Sequence, residues 1–211
     1  MSRWIVLAML LPLAGCQLFG FVGANFLPVE KIKPVYKPID QKTLVFIDDP
    51  RHAAPSPTLL AIVAETAAEQ LRREKVIAEF VPHSQLEDLR TSSEDFESLP
   101  IDRIGERLGA QQVIYVLIDG FDSGGDRQEL QRPTASARLK VVDVGTGKRL
   151  FPALGEHGVG SSLPFEQPPL DSESHGRQTA IARRLAQRLG EDIARQFHDH
   201  KPREVGSGFK D

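Results

Sequence analysis

Apolar positions along the chain follow two different spacings, and each spacing predicts a different element. The run at 43–47 is continuous and ends in two aspartates and a proline, which is typical of a buried strand. Apolar residues then recur at helical spacing over 57–73, which predicts an amphipathic helix. Residues 76–81 favour a second strand. The first part of the chain therefore predicts a strand, a helix and another strand.

Two short helices and a central strand are expected next. Ser84 and Glu87 have the spacing of a capping box, in which each side chain bonds the other residue's backbone N–H, so a helix should start there. A second short helix should start after Pro100 and stop at Gly109. The very apolar residues 113–118 predict a central strand.

The second half of the chain predicts a hairpin, an edge strand and a long helix. Residues 135–144 alternate between apolar and polar side chains, and the Gly-Thr-Gly at 145–147 supplies a tight turn before 148–151 returns. Residues 157–163 favour an edge strand. Apolar residues four apart over 177–197 predict the last helix.

With the two short helices counted as one and the edge strand left out, the order of elements is β-α-β-α-β-β-β-α, which predicts an α/β (α+β) fold. Early helical crossovers and a late hairpin favour a single domain with a mixed β-sheet of about five strands and helices packed on it. The expected boundaries are 16–41 for a lipidated N-terminus and a Pro/Lys tether, 42–198 for the globular domain and 199–211 for a disordered tail.

The first sixteen residues have the features of an export signal. Arg3 precedes a short apolar run at 4–13, and a leucine and two small residues lead into Cys16, the only cysteine. This arrangement predicts a secretory signal peptide over 1–15, because a spanning helix needs roughly 20 apolar residues. It also resembles the bacterial lipobox, which implies cleavage before Cys16 and lipid on its sulfur and its new amino group.

Composition and charge fit an exported, membrane-attached domain. The chain has 211 residues and a formal net charge of −3, and loss of Arg3 with the signal leaves −4. No nucleic-acid partner is expected, because such proteins are strongly basic. Gln17, where retained lipoproteins have aspartate, resembles outer-membrane sorting, so the domain is expected to face the periplasm on its lipid anchor.

Three stretches carry a resemblance to envelope proteins. They are the capped segment that begins at Ser84, the stretch IGERLGAQQV at 104–113 that leads into the central strand, and VVDVGTGK at 141–148. The pattern resembles the curli-secretion lipoprotein family, the penicillin-binding-protein activator lipoproteins and the amino-terminal domain of TolB. The resemblance implies a non-enzymatic domain that works by binding or assembly, with an envelope protein or the cell wall as its partner.

Four aspartates form a candidate ligand or metal site. Asp48 and Asp49 end one predicted strand, and Asp119 and Asp122 follow another. If these strands are parallel neighbours, the carboxylates lie at the sheet edge where open α/β sheets bind ligands, and they could hold a divalent cation. Aspartates also end strands simply because they cap turns. An enzyme or metal-binding domain is therefore an alternative, although no cofactor and no catalytic residue are expected.

An oligomeric secretion-pore component is the other alternative. The curli-secretion family builds its pore from additional amphipathic hairpins, whereas here only the hairpin at 135–151 is a candidate. The polar face of this hairpin carries Arg138 and Lys140. Its apolar face is needed to complete the sheet of the domain, so the hairpin is not available to span a membrane. The sequence therefore favours a membrane-anchored binding or assembly module.

Overall fold

A mixed sheet of five strands forms the centre of the protein. The computed structural model describes residues 30–124, 132–163 and 174–203, so the predicted signal and Cys16 lie outside the described residues. The strands are β1 (Thr43–Asp48), β2 (Gln112–Asp122), β3 (Thr134–Asp143), β4 (Arg149–Phe151) and β5 (His157–Ser162). The helices are α1 (Pro57–Arg73), α2 (His83–Ser92), α3 (Ile101–Arg107) and α4 (Ser174–Arg195), with a 3-10 turn at Phe96–Ser98.

The sheet combines one parallel pair with antiparallel pairs. Its strand order is β1-β2-β3-β4, and β5 pairs with β3 on the same side as β4. β1 and β2 are parallel, with Thr43 opposite Gln112 and Asp48 opposite Leu117. A parallel pair requires a long crossover, and residues 49–111 provide it with α1, α2 and α3. The predicted α+β class with a mixed five-stranded sheet is confirmed.

Helices α1 and α4 cover the first face of the sheet. Successive strand residues point to opposite faces, and those on this face join the buried sides of both helices in the larger apolar core. This core includes Val45, Ile114, Ala137 and Leu139 from the sheet and Val63, Leu71, Leu185, Leu189 and Ile193 from the helices. Burying a side chain of this size contributes about 1.5–3 kcal/mol, so these rows hold both helices on the sheet.

The second face is covered by helices at one end. There α2, the 3-10 turn and α3 pack against Leu44, Phe46 and Val113, close to the first residues of β1 and β2. The Phe46 ring meets the Phe96 and Tyr115 rings edge-on, with centroid distances of 6.3 and 5.3 Å. Further along the strands this face becomes polar and partly exposed.

The strand expected at 76–81 is not formed, so that prediction was wrong. The chain turns at Lys75, which has a φ of +56°, and only Phe80 bridges β1, opposite Thr43. Both backbone hydrogen bonds of this segment to β1, each 2.9 Å long, involve Thr43. Because this bridge is parallel, further pairing along β1 would need the residues after Phe80, and α2 begins there at His83.

The capping box expected at the start of α2 is also not formed, although the helix is. α2 begins at His83, two residues earlier than a cap at Ser84 implies, and Pro82 occupies the cap position without a side-chain hydrogen bond. Ser84 therefore lies inside the helix. Glu87 accepts a hydrogen bond from Arg90 at 2.9 Å instead of reaching back to the helix start.

The other predicted elements are confirmed. Gly109 follows the end of α3 with a φ of +66°, a conformation that favours glycine. The expected central strand is β2, the hairpin is β3 with β4, the edge strand is β5 and the last helix is α4. Within the described residues, the helices are too short or too polar to cross a bilayer.

Both ends of the described chain contact the domain. We use the name strap for residues 30–40, which lie across the end of the sheet where β1 and β2 begin. Ile32 and His200 exchange two backbone hydrogen bonds of 2.8 and 3.1 Å, and Val35 donates to the Gln196 carbonyl at 2.8 Å. Beyond α4, Arg203 donates to Asp192 at 3.1 Å. These contacts involve residues that the sequence places in the tether and in the tail.

Gly190 sets the distance between α1 and α4. A Cβ atom at Gly190 would lie 2.7 Å from the Val63 carbonyl oxygen and 2.8 Å from the Thr66 Cβ. We expect Gly190→Ala to push the helices apart and to lower the free energy of unfolding by about 1–3 kcal/mol. Urea denaturation followed by circular dichroism measures this change.

Gly176, in the same helix, is the matched control. An added Cβ there meets nothing within 4 Å, so Gly176→Ala should raise the free energy of unfolding by up to about 1 kcal/mol through better helix propensity. Equal losses in both variants would show that close helix approach is not the constraint at Gly190.

Candidate functional site

Because β1 and β2 are parallel, the last residues of both strands lie at the same end of the sheet. Asp48 is the last residue of β1 and pairs with Leu117. Asp119 lies two residues later on β2, where the register with β3 shifts between Ile118 and Gly120. It shares the face of Leu117, because it bonds Arg138, the residue opposite Leu117. The two strands are thus the parallel neighbours that the ligand-site hypothesis requires.

The two aspartates on this face are bonded to neighbouring side chains. The Asp48 carboxylate accepts a hydrogen bond from the Tyr115 hydroxyl at 2.5 Å. The Asp119 carboxylate accepts from the Arg138 guanidinium, through Nη2 at 2.8 Å and through Nε at 2.9 Å. Both carboxylates therefore join adjacent strands: Asp48 links β1 to β2, and Asp119 links β2 to β3.

The other two aspartates cap turns. Asp49 accepts hydrogen bonds from the backbone N–H groups of Ala53 and Ala54 at 2.9 and 2.8 Å, and Asp122 accepts from the Gly124 N–H at 2.8 Å. Across residues 30–124, 132–163 and 174–203, no three His, Cys, Asp or Glu side chains are grouped so that they could hold a metal ion. Ligand binding by the four aspartates stays a prediction.

Arg138 is the centre of a charged network on the sheet. Besides Asp119, it donates through Nη1 to Glu156 at 2.6 Å. The hydrogen bonds to these two carboxylates raise the pKa of Arg138 above its usual range. Because the network is partly exposed, water screens it and its contribution to stability is small. Its main effect is to fix the direction of the guanidinium.

Lys140 and Tyr115 form a second pair beside it. The Lys140 ammonium lies 4.5 Å from the centroid of the Tyr115 ring, a cation–π distance. Burial, and then the nearby Arg149, lower the pKa of Lys140. Burial and the bond to Asp48 raise the pKa of Tyr115 well above its usual range. At neutral pH the phenol therefore keeps its proton, and its hydroxyl donates a hydrogen bond to Asp48.

We use the name open half-face for Tyr115, Leu117, Asp119, Arg138 and Lys140. The register places them together, because Leu117 is opposite Arg138 and Tyr115 is opposite Lys140. All five are partly exposed, and Leu117 belongs to neither apolar core. The surface combines an aromatic ring, two cations and an aliphatic side chain on rigid strands, an arrangement suited to recognition.

The sequence revealed only part of this surface. Arg138 and Lys140 were correctly placed on the polar face of the hairpin. Tyr115 and Leu117 were missed, because 113–118 was interpreted as a uniformly apolar strand. The signal that could have found them is the spacing of Tyr115, Leu117 and Asp119, which puts all three on one face of β2.

No protein-family model and no curated protein matches the sequence. Solved structures match it distantly. A dodecamer of a PelC point variant from Paraburkholderia phytofirmans is 12% identical, with 79% of this chain and 98% of that chain covered and a TM-score of 0.44. Lipoprotein GNA1162 from Neisseria meningitidis is 18% identical, with 72% and 99% covered and a TM-score of 0.41.

The C-terminal domain of LpoB from Escherichia coli is 19% identical, with 59% of this chain and 83% of that chain covered and a TM-score of 0.35. A lipoprotein and the LpoB domain are thus among the solved structures to which this chain is similar. These likenesses are distant and concern the fold alone.

The bond between Tyr115 and Asp48 can be tested by titration. The protein has two tyrosines, and the pKa values of both Tyr36 and Tyr115 are raised, chiefly by burial. We expect neither phenol to ionise near pH 10 in the folded protein. Asp48→Asn should lower the pKa of Tyr115, because it removes the negative charge that opposes the phenolate. Absorbance at alkaline pH measures the change.

Asp49→Asn is the matched control, because Asp49 bonds the backbone of its own loop and not Tyr115. It should leave the tyrosine titration unchanged. Tyr115→Phe should remove the later of the two transitions. The same titration curve for Asp48→Asn and the parent protein would contradict the assignment.

Proposed function

We propose that this protein is an exported lipoprotein whose domain binds another protein in the cell envelope. In this proposal the signal is cleaved before Cys16, lipid on Cys16 holds the chain in the membrane, and the domain acts by binding and assembly, without catalysis. Gln17 favours the outer membrane, with the domain facing the periplasm. Several acyl chains would make the attachment effectively permanent, since one alone binds only reversibly.

The open half-face is the observation that carries the binding role. Tyrosine and arginine are enriched where proteins bind each other. Here both belong to paired strands, and the Arg138 guanidinium is already oriented by Asp119 and Glu156. A partner would therefore order few side chains on binding, which lowers the entropic cost of association. The half-buried Leu117 lies between the charged groups as an apolar contact point.

The bonding of the carboxylates supports binding over catalysis. A general acid or base needs an oxygen free to exchange a proton with a substrate. Both oxygens of Asp119 accept hydrogen bonds from Arg138, and one oxygen of Asp48 accepts a hydrogen bond from the Tyr115 hydroxyl. Both side chains thus serve to hold the open half-face in shape. The mixed charges of this face fit a protein partner better than a uniformly anionic polymer.

The anchor is tested by mass spectrometry of the mature amino terminus from separated inner- and outer-membrane fractions. We expect a chain that begins at an acylated Cys16 in the outer fraction. Cys16→Ser should release the protein from the membrane, because it removes the thiol that carries lipid, and Gln17→Asp should move it to the inner fraction. An unmodified chain starting elsewhere would contradict the anchor.

The binding face is tested by a photoreactive amino acid at Leu117 in living cells. We expect a crosslink to one envelope protein, and we expect Lys140→Glu to weaken it by reversing a charge on the same face. Glu69 is the matched control position, because it is exposed on α1, on the other side of the sheet. Equal crosslinking at Glu69 and Leu117, or capture of cell-wall glycan only, would contradict a protein partner at this face.

A further inference from the structure

The strap is an ordered segment that presents apolar side chains to solvent. The backbone of Ile32 pairs with that of His200 and fixes the start of the strap. In its middle, the Tyr36 ring stacks on the Phe151 ring at a centroid distance of 5.3 Å. At its far end, the Ile39 carbonyl accepts a hydrogen bond of 2.7 Å from the Gln112 side chain. These contacts hold the strap against the end of the sheet.

The exposed apolar side chains of the described residues are concentrated on this strap. Ile32, Val35 and Ile39 are 48%, 47% and 53% exposed, and Leu154 is the only other large hydrophobic residue in the described ranges that is exposed. An unfixed linker could turn such side chains inward. The strap cannot do so, because its backbone hydrogen bonds hold it, and the three side chains stay outside both apolar cores.

Lysines are interleaved with these apolar residues. Lys31, Lys33 and Lys37 are exposed, and the strap also contains Glu30 and Asp40. The strap is therefore net positive in a mature chain of net charge −4. Basic residues near an anionic bilayer each favour binding by about fivefold, and apolar side chains beside them can enter the headgroup region.

We propose that the strap is a membrane-contact surface that lies on an anionic lipid bilayer. Residues 17–29 separate it from Cys16, and thirteen residues span at most about 45 Å, so an anchor at Cys16 keeps the strap within reach of the bilayer. A second copy of the chain fits less well, because a two-fold contact through the strap would bring the net positive straps of both copies together.

The inference deepens the proposed lipid anchoring, and its test is made independent of it. The full mature chain carrying Cys16→Ser has no thiol and no lipid of its own. Val35→Cys in this chain then accepts a single environment-sensitive fluorophore. With vesicles of phosphatidylethanolamine and phosphatidylglycerol, we expect its emission to rise several-fold and to be quenched by nitroxide-labelled lipid. Leu154→Cys is the matched control, because Leu154 is exposed but lies outside the strap.

Binding to the same vesicles gives a second measurement. We expect the triple change Ile32→Ser, Val35→Ser and Ile39→Ser to reduce vesicle binding by about tenfold or more. Leu154→Ser should leave binding unchanged. Replacing the three lysines with glutamine should reduce binding by about fivefold for each lysine, and vesicles of phosphatidylcholine alone should bind weakly. Residues 17–29 are identical in all variants, so differences report on the strap.

Three results would overturn the inference. One is equal fluorescence changes at positions 35 and 154 with vesicles. The second is unchanged binding by the triple serine variant, whose folding is checked by its thermal melt. The third is a change at position 35 that grows with protein concentration without lipid, which would assign the strap to a contact between copies. None of these depends on whether Cys16 is acylated in the cell.

Discussion

The parallel pairing of β1 with β2 is the constraint on which the rest of the structure depends. Parallel neighbours need a crossover that returns the chain to the starting end of the sheet. Residues 49–111 make that return with three helices, of which α1 packs on the first face and α2 and α3 pack on the second. The later strands then add by antiparallel pairing, and α4 completes the first face beside α1.

The division of the crossover between two faces explains why one surface stays open. α1 has a partner of comparable length in α4, so together they cover the first face. α2 and α3 are short and remain near the beginning of β1 and β2. The polar continuation of the second face is therefore held by contacts within the sheet itself, chiefly Asp48 with Tyr115 and Asp119 with Arg138.

The sequence pattern correctly predicted the elements that depend on residues close to one another in the chain. The alternation in β3, the turn after Asp143 and the glycine stop after α3 all follow from neighbouring residues. The segment at 76–81 has the composition of a strand, but the turn before it and the start of α2 limit its pairing, and neither is a property of its own residues. Asp48 and Asp49 lie at the end of β1 as expected, whereas β2 continues to Asp122, so Asp119 lies inside that strand. The open half-face needs the register between Leu117 and Arg138, which a single stretch of sequence does not contain.

The strap also determines how the domain would bear mechanical load. It runs directly into β1, so tension applied through the N-terminal residues acts along the axis of that strand. The bonds between β1 and β2 are arranged side by side, from Thr43 with Gln112 to Asp48 with Leu117, and are loaded together in shear. The Ile32–His200 pair lies ahead of this ladder and would yield first, which lengthens the connection while the sheet stays intact.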